Sequence, residues 1–264
     1  MLSGGPGGWH AGGGAGDVVV SRRAALQGGI LAAGAGLRLR QAGWTMPKPL
    51  VPVAGAPLLE HVLRNFMAAG IPSPVIIINE EARECERWVR SWIGGLAPRI
   101  IVKTTGSTLE SFREVSGRLG PGDALISTVD ALCPPEAFVG FLDAALGFPP
   151  DATVLAVTPL VDDEKPLWVS RDASGRITAL GGPSGETVTA GIYLVPERVR
   201  SLSPPPGVGS LRAFLCWLLD RGEPMYGVVL PEVVDVDRAE DVALAEALAR
   251  RGGPAAAGRA GGTP

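Results

Sequence analysis

The sequence predicts an α/β fold: a three-layer α/β/α sandwich around a mixed, mainly parallel sheet. Three observations carry this expectation. From residue 24 onward, short strand-like apolar runs alternate with helical segments. Runs such as Val75-Ile76-Ile77-Ile78 are apolar at every position, as in strands covered on both faces. Between residues 168 and 195 the alternation gives way to three strand-like runs separated by turn residues, which reads as an antiparallel excursion.

Residues 24–33 read as the first strand, running into a glycine turn. Residues 57–69 form a helix with Leu58, Val62 and Phe66 on one face and Pro57 at its first turn, where a missing N–H costs nothing. A buried strand at 74–79 is followed by a charged helix at 80–93, whose Trp88 and Trp92 are four apart and fit the core better than a ligand platform. Strands at 99–103, 123–129 and 152–158 alternate with helices at 109–119 and 135–146. This βαβα order implies parallel strands with helices on both faces. The excursion supplies strands at 168–171, 176–180 and 187–195, with Asp172-Ala173-Ser174-Gly175 as one turn. Helices at 211–220 and 239–250 flank a last strand at 225–230. No internal repeat is visible. One domain is expected over 22–251, between Gly/Ala/Pro-rich tails at 1–21 and 252–264 that lack apolar periodicity and are expected to be disordered.

The 264 residues are 46% hydrophobic and 19% charged, enough for one large core. A net charge of −3 argues against a nucleic-acid partner. Cys85, Cys133 and Cys216 form no C-x-x-C pair, and with only His10 and His61 a zinc site is not expected. A reduced, cytoplasmic setting and no membrane partner follow. Ser21-Arg22-Arg23 and the apolar stretch after it imitate a twin-arginine export signal. A first strand explains the same residues, and that stretch is too short and glycine-rich to span a bilayer.

The run Gly29-Ile30-Leu31-Ala32-Ala33-Gly34-Ala35-Gly36-Leu37-Arg38, followed by Pro47-Lys48-Pro49-Leu50, orders its parts as a polyphosphate site would. Gly34 and Gly36 allow positive φ and close ligand approach. Successive N–H groups in such a turn form an anion-binding concavity. Arg38 offers a planar fork of donors to phosphate oxygens, and Lys48 a point charge stiffened by its proline neighbours. The dinucleotide fingerprint G-x-G-x-x-G fails at Leu39, and the P-loop pattern is absent. The plainer alternative is a strand-to-loop turn with two surface cations.

These residues, with Val51-Pro52-Val53-Ala54-Gly55-Ala56-Pro57-Leu58-Leu59, resemble the opening of the nucleotidyltransferase family, which includes the sugar-1-phosphate nucleotidyltransferases (NDP-sugar pyrophosphorylases) and MobA-like NTP transferases. The family pattern reads L-A-A-G-x-G-[ST]-R-[LM], then P-K-x-L, then P-V-x-G-x-P-L-[IL]. The chain departs from it at Leu37, where the family prefers a hydroxyl residue. The resemblance implies the Rossmann-like sheet of nucleotide-diphospho-sugar transferases. It also implies a nucleoside triphosphate held by Leu31, Ala32, Ala33, Gly34, Ala35 and Gly36, with Arg38 and Lys48 as the catalytic cations.

Nucleotidyl transfer must neutralise triphosphate charge, usually with Mg²⁺ held by carboxylates. Asp130 follows the strand at 123–129, and ligands in open α/β sheets bind beyond the carboxyl ends of strands. The resemblance makes Asp130 a metal ligand; its competing role is to start the turn toward Pro134-Pro135. Asp235-Val236-Asp237-Arg238-Ala239-Glu240-Asp241 resembles the family's D-[IV]-x-[TR]-x-x-D segment. Asp235 is expected as the second metal ligand. Asp237, on the same strand face, is expected to cap the last helix in a capping box with Glu240.

Gly106, Ser107 and Thr108 resemble the family's base-facing G-T-A segment, although Ser107 or Thr108 also suits an N-cap. Thr189-Ala190-Gly191-Ile192-Tyr193 resembles N-A-G-I-Y, which lines the acceptor pocket; Thr189 replaces the asparagine, and Gly191 equally suits a β-bulge. Glu164-Lys165-Pro166 resembles an acceptor-binding E-K-P element, but it precedes Gly175-Arg176-Ile177 where the family's follows the G-R-I strand, so a solvated Lys165 competes with an acceptor contact. The reading is a Mg²⁺-dependent enzyme that moves a nucleoside monophosphate from a triphosphate to a phosphorylated small-molecule acceptor, a sugar 1-phosphate. Its rivals are a molybdopterin or phospho-alcohol acceptor, and an inactive nucleotide-binding regulatory module.

Overall fold

The computed structural model describes residues 15–92, 94–161 and 166–252. Helix α1 (Ala15–Ala24) leads into strand β1 (Gln27–Ala32), and a short helix α2 (Leu37–Gln41) follows the glycine turn. A 3-10 turn at Lys48–Leu50 precedes the small hairpin β2 (Pro52–Val53) and β3 (Ala56–Pro57), then α3 (Leu58–Ala68). The alternation continues through β4 (Val75–Ile78), α4 (Arg83–Ser91), β5 (Arg99–Val102), α5 (Thr108–Ser116) and β6 (Ala124–Thr128). Next come β7 (Ala131–Leu132), α6 (Pro135–Leu146), β8 (Thr153–Thr158), β9 (Trp168–Arg171), β10 (Ile177–Leu180) and β11 (Thr187–Val195). The described chain closes with α7 (Glu197–Arg200), α8 (Leu211–Asp220), β12 (Met225–Val229), β13 (Val234–Asp235) and α9 (Ala239–Gly252).

Strands β6, β1, β4 and β5 lie side by side and parallel. Strand β11 joins this set antiparallel to β6, with Ile192 opposite Ser127 and Val195 opposite Ala124. Along its other edge runs β8, which pairs in turn with β12 in parallel. The N-terminal part of β11 extends past the end of β6 and pairs with β9, the partner of β10. Because β6 and β9 share one edge of β11, a gap opens between them. A cleft reaches this gap at Thr189 and Gly191 of β11.

Alternation along the strands sends side chains to two cores. Ile30, Ala32, Ile76, Ile78 and Leu125 pack with α3, α4 and α6, where the Phe66 and Phe138 rings are 5.3 Å apart. Leu31, Ile77, Ile126 and Tyr193 pack with α5 and α8, where Phe112 and Phe214 are 5.8 Å apart. Both faces of the sheet are therefore covered, as the apolar runs require. A third cluster gathers Leu39, Val51, Val53, Leu58, Leu132, Val236, Val242 and Leu248. It welds α2, the Lys48 segment, β7 and α9 to one another beside the sheet.

Several expectations are corrected. The first strand starts at Gln27, because residues 15–24 form a helix anchored by Arg22, which donates to Asp123 at 2.8 Å and to the carbonyls of Leu146 and Phe148. The expected tail through residue 21 therefore gives way to structure at residue 15, while residues 1–14 and 253–264 lie outside the described residues. The charged helix is shorter than expected, Arg83–Ser91, with Trp88 and Trp92 stacked at its end against the core; Ile93 lies outside the described residues. Helices α2 and α7 were not expected.

Candidate active site

Beyond the carboxyl ends of β1, β4, β5 and β6 lies a cleft of about 710 Å³. One wall is the glycine turn, which leaves β1 at Ala32 and enters α2. Gly36 there has φ +60°, and a Cβ on it would lie 2.9 Å from the Cβ of Lys48. The turn is therefore glycine because it is left-handed and because the lysine stem packs against it. Gly34 does not take positive φ; it lines the cleft, and a Cβ there would meet no protein atom within 4 Å.

The Lys48 segment is framed by its prolines: Pro47 stands at the N-cap of the 3-10 turn and Pro49 lies within it. Its side chain is only 7% exposed. The ammonium donates to Asp130 Oδ2 at 2.6 Å and also to Asp237 Oδ1, while Arg38 donates to the other oxygen of Asp237 at 2.8 Å. Burial alone pulls Lys48 toward the neutral form, but the carboxylates of Asp130, Asp237 and Asp235 outweigh it and hold the pKa above the ordinary lysine value. Burial likewise pushes Asp130 up, and Lys48 reverses this, leaving Asp130 below the usual carboxylate range. Both groups are charged at neutral pH.

The acidic residues are joined by a small ladder. Asp130 leaves the end of β6, and its carbonyl accepts from Leu132 and Val236. Strand β7 then pairs with β13, placing Asp235 opposite Ala131. Val236 is fully buried in the third cluster, so Asp235 and Asp237 share the opposite face. Carboxylate oxygens of Asp130, Asp235 and Asp237 all lie within 4.8 Å of one another. Three carboxylates, all hard oxygen donors, fit a hard divalent cation such as Mg²⁺.

Asp237 is the main correction. It does not cap α9. Asp241 does so, accepting from the backbone N–H of Asp237 at 2.9 Å and of Arg238 at 2.7 Å. Asp237 is thus released into the charged cluster. Its signal was present in the Asp-Val-Asp alternation, but the capping pattern masked it.

The remaining candidates divide clearly. Leu31, Ala33, Ala35, Gly106, Ser107, Thr108, Thr189 and Gly191 line the cleft with Gly34, Gly36, Arg38, Lys48, Asp130 and Asp235. Ala32 does not: it is buried in the core on the opposite face of β1. Lys165 lies outside the described residues. Ser107 caps α5, accepting from the Glu110 N–H at 3.2 Å, and still faces the cleft, so capping does not remove it from the wall. Gly191 lies at an irregularity in the β11–β8 register with φ +73°, where a Cβ would lie 2.5 Å from Thr128 Oγ1. Bulge and cleft lining coincide there.

Sequence reasoning missed Asn79 and Arg212 among the residues of this wall, whereas Tyr193, expected there as the end of the Thr189–Tyr193 segment, does line it. Tyr193 is buried, and burial raises its phenol pKa. Arg212 stands in the first turn of α8 and also lines a small side cavity of about 50 Å³ shared with Arg38, Thr189, Asp235 and Asp237. No local motif distinguished Asn79 or Arg212 from structural residues.

Residues 28–192 match the MobA-like NTP transferase domain. The chain is 32% identical over 108 residues to the N-acetylmuramate alpha-1-phosphate uridylyltransferase of Caulobacter vibrioides, covering 39% of this chain and 45% of that protein. It is 27% identical over 250 residues to the bifunctional IPC transferase and DIPP synthase of Rubrobacter xylanophilus, covering 88% and 54% respectively. Over 153 residues it is 30% identical to the 2-C-methyl-D-erythritol 4-phosphate cytidylyltransferase of Nocardia farcinica, covering 56% and 61%. The chain thus spans about half the length of these relatives. The inositol-1-phosphate CTP transferase of T. maritima shares the fold, with a TM-score of 0.73 at 22% identity over 86% of this chain and 96% of that one. No described helix is long and apolar enough to cross a membrane.

Proposed function

The chain belongs to the MobA-like NTP transferase family, and on that premise we propose that it is a nucleotidyltransferase acting on a nucleoside triphosphate and a phosphorylated small molecule. A phosphate oxygen of the acceptor attacks the α-phosphorus in line. The new P–O bond forms as the bond to the β-phosphate oxygen breaks, and pyrophosphate leaves carrying that electron pair. The acceptor is a sugar 1-phosphate. Support for this choice comes from the Caulobacter relative, named for an α-1-phosphate acceptor.

The observation that carries the reading is the buried Lys48 ammonium, hydrogen-bonded to Asp130 and Asp237 beside Arg38 at the mouth of the glycine turn. This chemistry needs charge neutralisation and alignment more than a protein base. The backbone from Leu31 to Gly36 cradles the phosphates, Arg38 holds the β- and γ-groups, and Lys48 stabilises charge growing on the α-phosphate. Gly106, Ser107 and Thr108 face the base. Thr189 and Gly191 face the acceptor, with Lys165 as a further acceptor contact. Asp130 and Asp235, joined by Asp237, would hold Mg²⁺. When bound, the ion supplies positive charge to the triphosphate.

Pyrophosphate release across a grid of triphosphates and acceptors, with and without EDTA, tests this reading. One productive pair that requires a divalent cation supports it. Release from none of the pairs, with triphosphate still bound, favours the regulatory-module reading instead. The Nocardia relative, named for an erythritol 4-phosphate, makes phospho-alcohols the second acceptor class to include.

A further inference from the structure

We propose that Asn79 is a positioning residue: its carboxamide fixes the spacing between the phosphate-gripping turn and the base-facing loop, so that both ends of one nucleoside triphosphate are engaged together. This rests on the nucleotidyltransferase reading above.

Strands β1, β4 and β5 are neighbours, with β4 in the middle. Their registered pairs end at Ala32 with Ile78 and at Ile78 with Val102. Beyond this point the chains separate to open the cleft. Asn79 is the first residue of the middle chain past that limit, and it is only 9% exposed. Its Nδ2 donates to the carbonyl of Ala33 at 3.2 Å, one residue beyond β1 and immediately before Gly34. Its Oδ1 accepts from Thr104 Oγ1 at 3.0 Å, two residues beyond β5, and from the Glu81 N–H at 2.9 Å. One side chain therefore replaces the missing ladder on both sides.

Among the described residues, the other side-chain ties of the loop it holds run to its own helix, and the backbone leaves the sheet at Lys103, whose N–H donates to the Ile78 carbonyl at 2.9 Å. Thr105 Oγ1 lies 2.7 Å from Ser111 Oγ, and the Gly106 N–H donates to Glu110 at 2.7 Å. Those bonds fix the shape of the loop at residues 104–108 but not its distance from the glycine turn. That distance is the span from triphosphate to base. Both lone pairs of Oδ1 are already engaged, so this oxygen supports the two walls and does not read the base.

The test uses Asn79→Ala and Asn79→Asp in the full chain, with circular dichroism confirming the fold. Asn79→Asp keeps the acceptor toward Thr104 and Glu81 but loses the donor to Ala33, so it remains informative if the alanine variant does not fold. Dissociation constants are measured by titration calorimetry for Mg²⁺ complexes of ATP, CTP, GTP and UTP and for magnesium tripolyphosphate. Both folded variants are expected to bind the best wild-type nucleotide at least ten-fold more weakly, with a smaller loss for tripolyphosphate and a reduced preference among the bases. The KM for the acceptor should change less than two-fold. Unchanged nucleotide affinity and base preference in a folded variant overturn the proposal while leaving the assigned activity standing. If the wild-type chain binds no triphosphate, the nucleotidyltransferase reading fails and the proposal falls with it.

Discussion

Replacing Lys48 by alanine tests the electrostatic centre of the site directly. The Cβ that packs against Gly36 is retained, so the change removes only the stem and the charge. The three carboxylates, with oxygens no more than 4.8 Å apart, repel one another by about 3.5 kcal/mol per pair at that separation and an effective dielectric of about 20, and by less where Asp235 and Asp237 meet solvent. Lys48, 2.6 Å from Asp130 and bonded to Asp237, offsets this repulsion. Removing one partner from such a buried arrangement costs about 3–5 kcal/mol, or about 10 °C in melting temperature for a chain of this size. A divalent cation can take over the neutralising role, and stabilises the fold by about 2.7 kcal/mol at a hundred times its dissociation constant. Lys48→Ala should therefore melt well below wild type in EDTA and gain more from added Mg²⁺ than wild type does. Turnover should stay about 10²–10³-fold down even with Mg²⁺, because the ion does not restore the charge aimed at the α-phosphate. Thermal scans with EDTA and Mg²⁺, combined with a pyrophosphate-release assay, read both effects. Equal melting temperatures in EDTA and equal Mg²⁺ shifts in the two proteins would refute the electrostatic account.

Three further outcomes follow from the same geometry. Asp237→Asn removes a charge held by both Lys48 and Arg38, and should weaken Mn²⁺ binding about ten-fold or more in a paramagnetic titration; unchanged affinity would exclude Asp237 from the cation site. Gly191→Ala forces a Cβ against Thr128 at φ +73° and should cost about 1–3 kcal/mol, measured by urea unfolding. Asp172 accepts from Ser174 Oγ, from the Ser174 N–H and from the Arg176 N–H. The Ser174 bond, then the backbone bonds, hold its carboxyl below the usual range. Its stabilisation is present above the unfolded pKa of about 3.9 and is lost as pH falls through the lower folded value. Asp172→Asn should therefore flatten the acid limb of the melting profile below about pH 4, and an unaltered limb would contradict this.

Much of the fold was legible because its signals are local. The run Val75-Ile76-Ile77-Ile78 is buried at every position, as its composition requires. The helix Pro135–Leu146 and the strands Trp168–Arg171 and Thr187–Val195 end where their apolar periodicity and turn residues end. The first strand was misjudged because residues 24–26 are apolar and suit either a helix end or a strand start; α1 is decided by Arg22 reaching Asp123 and two carbonyls far along the chain.

The site divides in the same way. The amino-acid order by itself determined the glycine turn, the proline-clamped lysine and the aspartate at a strand end, since each is a short pattern with its own backbone logic. Tertiary structure alone decided that Asp237 joins Lys48 and that Asp241 takes the cap, because this depends on the β7–β13 ladder and on Val236 being buried in a cluster drawn from α2, β7 and α9. It also decided the gap that the cleft reaches, since β6 and β9 must share one edge of β11 for that gap to exist. Such outcomes depend on which distant surfaces exclude water together, and no local window of sequence carries that information.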